Sequence, residues 1–230
     1  MQTDEKLWFS HRNPRYGGSF PEYFEPGEFP WAIDVERKAA QITQEVLEYL
    51  DNKRTPFNKY FNKVLTNFPN DWELVFFRFW GKQLQPLSQL PTLNTIFKNN
   101  DQLLSLGISK LAAGAAIKPH AGDSNAYVRC HLPIIVPDRS RQCFIEVNGK
   151  PRMWKKGKLL IFCDAYEHRA VNLLETDRIV LIFDVLLPHF AHNREYLIKD
   201  VRTSLFTQRY PILQRLPFRF LLWVNHYLRL

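Results

Sequence analysis

Only three of the 230 residues are cysteine, Cys130, Cys143 and Cys163, and no two of them form a Cys-x-x-Cys pair. An odd, scattered set suggests neither a disulfide framework nor a zinc ribbon and fits a reducing cytoplasm best. Long apolar runs are also missing. The longest stretch without a charge, residues 83–97, is studded with Gln, Pro, Ser and Asn, whereas crossing a bilayer takes about 20 apolar residues. The start, MQTDEKLW, places two acids where a signal peptide needs a basic region and an apolar run, so none is expected. No internal repeat or low-complexity tract occurs, and the composition excludes disorder, collagen and a coiled coil. Acids are in deficit, 23 against 31 Lys plus Arg, which leaves a net charge of +8. That excess points to anionic partners without saying which.

What is present is enough for one sizeable core: 45% hydrophobic and 14% aromatic residues. Residues 34–52 predict an amphipathic helix, with Asp34 as N-cap and Val35, Ala39, Ile42, Val46 and Leu50 at helical spacing. Residues 72–80 (WELVFFRFW) predict a strand that Gly81 ends, and Pro91-Thr92 opens a short helix. From about residue 104 to 187 the pattern becomes short strands: LSLGISKL, AYVRCHLPIIV, QCFIEV, KPRMW, KLLIFC and RIVLIFDVLL. Asn148-Gly149 between the third and fourth signals a two-residue hairpin. Short strands every ten residues or so, with no helices between them, predict an antiparallel sandwich or barrel. Beyond residue 201 the chain carries five arginines, no acid, and interleaved Phe, Leu, Trp and Tyr. Three readings stand for this tail: a packed helix with solvated arginines, a membrane-surface anchor, or an oligomer contact.

Two histidines stand at predicted strand ends. His120 lies in the loop-like IKPHAGDSN, and His168 follows the strand KLLIFC with Asp164 four residues before it. Two imidazoles and a carboxylate with open positions form the facial triad of non-haem iron oxygenases. The commonest triad puts its carboxylate two residues after the first His, and that position here is Gly122. Either Asp164 supplies the carboxylate, or two histidines hold the metal with water, or both histidines are structural. In YVRCHLPII, Arg129 and His131 share one strand face while Val128, Cys130 and Leu132 fill the other. Arg178 opens the last strand, so Arg129 and Arg178 together are candidates for holding a dicarboxylate. The competing reading pairs each with an acid, Arg178 with Asp177 or Asp184. His189 and His192 are expected in a solvated turn, and Cys130 and Cys163 as buried small apolar groups.

The ordered motifs from about residue 72 to 187 resemble the aspartyl/asparaginyl β-hydroxylase family of Fe(II)- and 2-oxoglutarate-dependent oxygenases. They run from the Trp and Gly near residues 72–81 and Pro91-Thr92 to ISKLAAGAAIKPHAGDSN, RCHL, WKKGKLLIFCD, EHRAVN and RIVLIFDV. The resemblance implies a mainly β fold with flanking helices, a cupin-like double-stranded β-helix or jelly roll. Its implied segments are an N-terminal part (1–100) packed on a catalytic core (101–187), then a basic extension (188–230), all in one globular domain. It implies His120 and His168 as iron ligands, with Asp164 near the metal but acting in the second sphere or through water. It further implies Arg178 on the distal carboxylate of 2-oxoglutarate, with Ser109, Arg129 and His131 also contacting that cosubstrate. Fe(II), 2-oxoglutarate and O2 are thus the expected cofactors, and hydroxylation of an unactivated C–H bond the expected reaction. The expected substrate is an Asp/Asn-type or other amino acid, free, carrier-bound or in a peptide. The eukaryotic-type members' membrane anchor and helical repeat region are not seen here. Two alternatives remain: an acyl-chain lipid hydroxylase held at a membrane by residues 201–230, and a non-catalytic jelly-roll binding module. Nucleic acid is not an expected partner, and the expected location is cytoplasmic, with peripheral contact at the inner face of a membrane kept open.

Overall fold

The computed structural model describes residues 5–52, 57–60, 62–98, 100–136 and 141–222. Among the described residues, twelve strands form two antiparallel sheets. The larger runs β1 (Tyr23–Phe24), β10 (Leu160–Phe162), β7 (Tyr127–Ile135), β12 (Arg178–Leu186), β5 (Leu103–Leu111), β3 (Trp72–Phe79) and β2 (Asn58–Lys59), with β4 (Lys82–Gln83) added beside β3. The smaller runs β6 (Ala115–His120), β11 (His168–Asn172), β8 (Cys143–Val147) and β9 (Lys150–Arg152). Strands β5 to β12 wind between the two sheets so that β5-β12-β7-β10 faces β6-β11-β8-β9. That order is a double-stranded β-helix, the expected jelly roll.

The large sheet is buried on both faces, so its strands read as near-continuous apolar runs. One face packs Val75, Phe77, Ile108, Cys130, Leu181 and Phe183 against helices α1 (Pro30–Arg37), α2 (Ala39–Asn52) and α3 (Pro91–Phe97). The other face looks into the sandwich, where Trp72, Leu74, Phe162, Val180 and Ile182 meet Ile117, Ile145 and Val147 of the small sheet. Burying one such side chain contributes about 1.5–3 kcal/mol. Against that background, the inner-face positions Ser105, Ser109, His131, Arg178 and Asp184, all buried, and the half-buried Arg129 are exceptions that bring no such gain.

The helix expected over residues 34–52 is two helices. Pro30, at the first helical position with its φ already fixed, starts α1 four residues before Asp34, which lies inside the helix and pairs with Arg37 at 2.5 Å. Lys38 leaves helical geometry at ψ 11°, and the turn lets both helices bury a face: Ala32 and Val35 in α1, Ala39, Ile42, Val46 and Tyr49 in α2. The Asn148-Gly149 hairpin is as expected, with φ of 49° and 75° joining β8 to β9. A second left-handed pair, Trp80-Gly81 (φ 43° and 78°), turns β3 into β4. Helix α4 (Arg194–Arg209) buries Leu197, Ile198 and Val201, so this part of the basic segment is packed on the body. Residues 223–230, with His226 and Arg229, lie outside the described residues. Among those described, no helix is long and apolar enough to cross a membrane. His189 and His192 fall in a short 3-10 turn, where a ring nitrogen of His189 meets the carbonyl of Glu5 at 3.1 Å.

Candidate active site

His120 and His168 are cross-strand partners. The first closes β6, the second opens β11, and a register shift beside them brings their rings to 4.3 Å between centroids. The expected loop around His120 is therefore strand as far as the histidine itself. Each ring is oriented by its own backbone: His120 Nδ1 lies 2.8 Å from the carbonyl of Lys118, and His168 Nδ1 lies 2.9 Å from that of Tyr166. A carbonyl only accepts, so Nδ1 carries the hydrogen in both rings and each Nε2 keeps its lone pair. Burial, with the neighbouring His168, pushes the pKa of His120 down to about 3, and burial pushes His168 down to about 4. Both imidazoles are neutral at physiological pH, the state in which they ligate metals.

Asp164 completes this corner. Its carboxylate is fully buried and accepts the Tyr127 hydroxyl at 2.5 Å on Oδ2. Oδ1 lies 2.8 Å from Arg129 Nη1 and 3.3 Å from His168 Nε2. No hydrogen bond is directed at Oδ1, and the Nε2 facing it is also an acceptor. Two acceptors this close repel, and the Arg129 guanidinium at 2.8 Å from Oδ1 offsets that repulsion. Gly122, at the position where the commonest triad carries its carboxylate, makes room for this one: a Cβ there would sit 1.7 Å from Asp164 Oδ2. The Gly122 amide donates to the Asp164 carbonyl at 2.7 Å. Asp123 next to it, pushed up to about 7 by burial and by the nearby charge of Asp164, is a second acid in the corner.

Across the sandwich the polar side chains split into two sets. Arg129 forks onto Asp184, with Nε and Nη2 at 2.8 and 3.2 Å, while also pairing with Asp164. Burial works against the charge of Arg129, but Asp164 and Asp184 outweigh it and raise its pKa above the usual range. Arg178 is the opposite case. It is 1% exposed, stacks 4.9 Å from the centre of the Trp154 ring, and has no ion pair among the described residues; its Nε has no hydrogen-bond partner. Neither expected acid reaches it, because Asp184 is taken by Arg129 and Asp177 accepts the Ala113 amide. Burial lowers Arg178 to about 10, which still leaves it charged at neutral pH. His131 lies on the same inner face, opposite Ile182, and its Nδ1 accepts the Trp154 indole N–H at 3.2 Å. With Nδ1 accepting, the ring hydrogen sits on Nε2, a buried donor with no partner. Ser109, also on the inner face, accepts the Trp72 indole N–H at 3.0 Å.

All seven expected residues thus surround one interior. Sequence reasoning missed Tyr127, Trp154 and Trp72 among the partners that hold them, and set Asp184 beside Arg178 where the structure sets it on Arg129. Tyr127 was findable, since it shares the strand face of Arg129 and His131 at spacing two, whereas the contacts of Asp184 and Trp154 depend on strand pairing. Among the described residues, no three His, Cys, Asp or Glu side chains converge into a metal cage.

The family model described as Aspartyl/Asparaginyl beta-hydroxylase matches residues 36–188, a span that holds every residue of this site. The chain belongs to this family. Among its hydroxylase relatives, the ornithine lipid ester-linked acyl 2-hydroxylase of Rhizobium tropici is 28% identical over 186 residues, 79% of this chain and 66% of that protein. The aspartyl/asparaginyl beta-hydroxylase of Mus musculus is 35% identical over 78 residues, 34% of this chain and 10% of that protein. The chain therefore spans just under two thirds of the first relative and a tenth of the second. Among solved structures, the Schizosaccharomyces pombe Cnp3 cupin domain aligns with 56% of this chain and 74% of its own at 11% identity and a TM-score of 0.36, too slight a likeness to argue from. The strand order defines the fold without it.

Proposed function

We propose that this member of the hydroxylase family is an Fe(II)- and 2-oxoglutarate-dependent dioxygenase that hydroxylates an unactivated C–H bond. The observation that carries the reading is the pairing of two accepting, neutral imidazole nitrogens with a buried, uncompensated guanidinium across the same interior. His120 and His168 would hold the iron through Nε2. Asp164, anchored by Tyr127 and Arg129, acts in the second sphere or through water. Arg178 and the Nε2–H of His131 would hold the carboxylates of 2-oxoglutarate, with Ser109 beside them. Iron, 2-oxoglutarate and O2 together supply the oxidising power that no amino-acid side chain has.

The chain's own contribution is orientation and exclusion. The Nδ1–carbonyl bonds fix both imidazole rings, the usual role of partners behind metal-ligating histidines. Arg129 is matched by Asp184 and Asp164, so its part is to hold Asp164 rather than to fork onto the cosubstrate. Phe162 stands edge-on to both His131 and His168, an apolar neighbour beside which charged contacts are stronger than in water.

For the substrate, the acyl chain of a lipid is placed ahead of an amino-acid side chain. The lipid acyl hydroxylase aligns with 79% of this chain, while the mouse protein hydroxylase aligns with 34%. Contact of the basic C-terminal region with an anionic membrane surface belongs to this reading. The test is succinate release from 2-oxoglutarate by iron-loaded protein offered an acylated lipid or an aspartyl peptide. Release stimulated by one of the two supports the enzyme and assigns the class. No iron-dependent release with either would leave a non-catalytic jelly-roll module.

A further inference from the structure

Where β2, β3 and β4 meet α4, the surface opens into a groove of about 700 Å3. Leu74, Phe76, Phe79 and Leu84 form one wall, and Leu205 and Phe206 of α4 form the other. Phe76 and Phe79 pack together with ring centroids 4.8 Å apart. The size falls within the range of about 300–1,000 Å3 that pockets for small organic ligands occupy.

The rim is what distinguishes this groove from an ordinary apolar cleft. Lys59, Lys82, Arg202 and Arg209 stand around it, and no Asp or Glu is among its described lining residues. None of the four side chains has a carboxylate partner among the described residues. Several other surface cations are paired, among them Lys110 with Glu73, Lys150 with Glu22, Lys158 with Glu36 and Arg169 with Glu146. Four unpaired like charges around an apolar floor repel one another and raise the local potential. Partial burial already lowers the pKa of Arg202. An anion at the rim relieves that repulsion, and an apolar chain covers the floor.

We propose that this groove binds a single-chain anionic amphiphile, its apolar tail between β3 and α4 and its anionic head among Lys59, Lys82, Arg202 and Arg209. The C-terminal residues 223–230 (WVNHYLRL) are a poor occupant on charge, since their side chains bring an arginine, a histidine and no acid to a cationic rim. The groove also shares a wall with the site described above. Tyr60 lines it and lies on Trp72 at 3.9 Å between ring centroids, and Trp72 in turn donates to Ser109. Binding in the groove does not depend on metal; that a bound amphiphile is also the hydroxylated substrate rests on the dioxygenase reading.

The experiment is a fluorescence titration of the metal-free, full-length protein with cis-parinaric acid, an anionic polyene chain that brightens in apolar sites, beside its neutral methyl ester. It is repeated on Lys82→Glu/Arg209→Glu, both exposed positions, with a circular dichroism melt to confirm the fold. Saturable binding of the acid is expected, at least about tenfold weaker in the variant, while the ester changes by no more than about twofold. A second variant, Phe206→Asp, is expected to weaken acid and ester alike. The proposal is overturned if the full-length protein shows no saturable binding, whether residues 223–230, a second copy or nothing fills the groove. Equal affinity of the acid for wild type and charge-reversed variant overturns it too. Parinaric acid binding in a protein that binds no iron with 2-oxoglutarate would sink the dioxygenase reading and leave the groove standing.

Discussion

Arg178 stands behind Trp154 as a buried cation with no carboxylate partner among the described residues, an arrangement that destabilises the fold until an anion completes it. Replacing it with a similar-sized apolar side chain should therefore move stability and ligand binding in opposite directions. Arg178→Met is predicted to stabilise the ligand-free protein, by about 1–4 kcal/mol if the charge is fully uncompensated. The same change should abolish the thermal shift that 2-oxoglutarate gives wild type, and one melting series with and without 2-oxoglutarate reads both; a ligand-free variant that melts lower would mean the guanidinium is already satisfied. The histidines carry a pH prediction. His120 and His168 have folded pKa values of about 3 and about 4, below the 6.5 of an ordinary imidazole. Their contribution to stability is fully present above pH 6.5 and is lost as pH falls from there toward 4. Asp123, raised to about 7, titrates in the opposite sense and offsets part of that loss. NMR of the metal-free protein should find both rings neutral at pH 5; a ring midpoint near 6.5 would contradict the buried, carbonyl-oriented geometry. Of the residues themselves, the two histidines at strand ends, Asp164 near the second of them, and Arg129, His131 and Arg178 on strands stood out by type and placement, while Ser109 entered only through the family resemblance. The sequence did not divide the labour between the two arginines. Arg129 and Arg178 look alike in sequence, and only the pairing of β7 with β12 puts Asp184 opposite one of them.

At the scale of elements, legibility followed how continuously apolar each strand is. The strands with apolar runs, β3, β5, β7, β8 and β12, read directly from composition. Strands β6 and β11 did not, and these carry the two histidines: Lys118, Pro119 and His120 in one, His168 and Arg169 in the other, interrupt the apolar run. Such interruptions are expected where a strand trades packing for chemistry. The two-helix break at Lys38 was invisible because the apolar spacing runs across it, and the bend is fixed by what each helix covers. The hairpin at Asn148-Gly149 was legible because a two-residue turn of this kind needs positive φ at both positions. Gly149→Ala keeps the open space around that residue but places a Cβ at φ +75°. It is predicted to cost about 1–2 kcal/mol in urea denaturation. Turnover should remain, since the β8–β9 turn carries none of the site residues; a loss of iron binding in this variant would show that the small sheet transmits strain to His168.

On the scale of the whole molecule, two features point the same way: a chain-wide charge of +8 and a cation-rimmed apolar groove beside the interior site. Exposed charges of this kind act through a field that salt screens within about 10 Å at 0.1 M. Sedimentation with vesicles containing an anionic lipid is predicted to carry the protein down at low ionic strength and to release it as salt rises. Binding that ignores salt, or equal binding to neutral vesicles, would count against a charge-led contact. The central claim remains the paired metal and cosubstrate site, and an anaerobic titration of metal-free protein with Fe(II) and 2-oxoglutarate tests it most directly. Wild type should develop the weak visible charge-transfer band of an iron-bound 2-oxo acid, His168→Ala should show none, and Arg178→Met should need a cosubstrate concentration higher by about 30-fold or more. No band in wild type, or an unchanged titration in Arg178→Met, would contradict the reading.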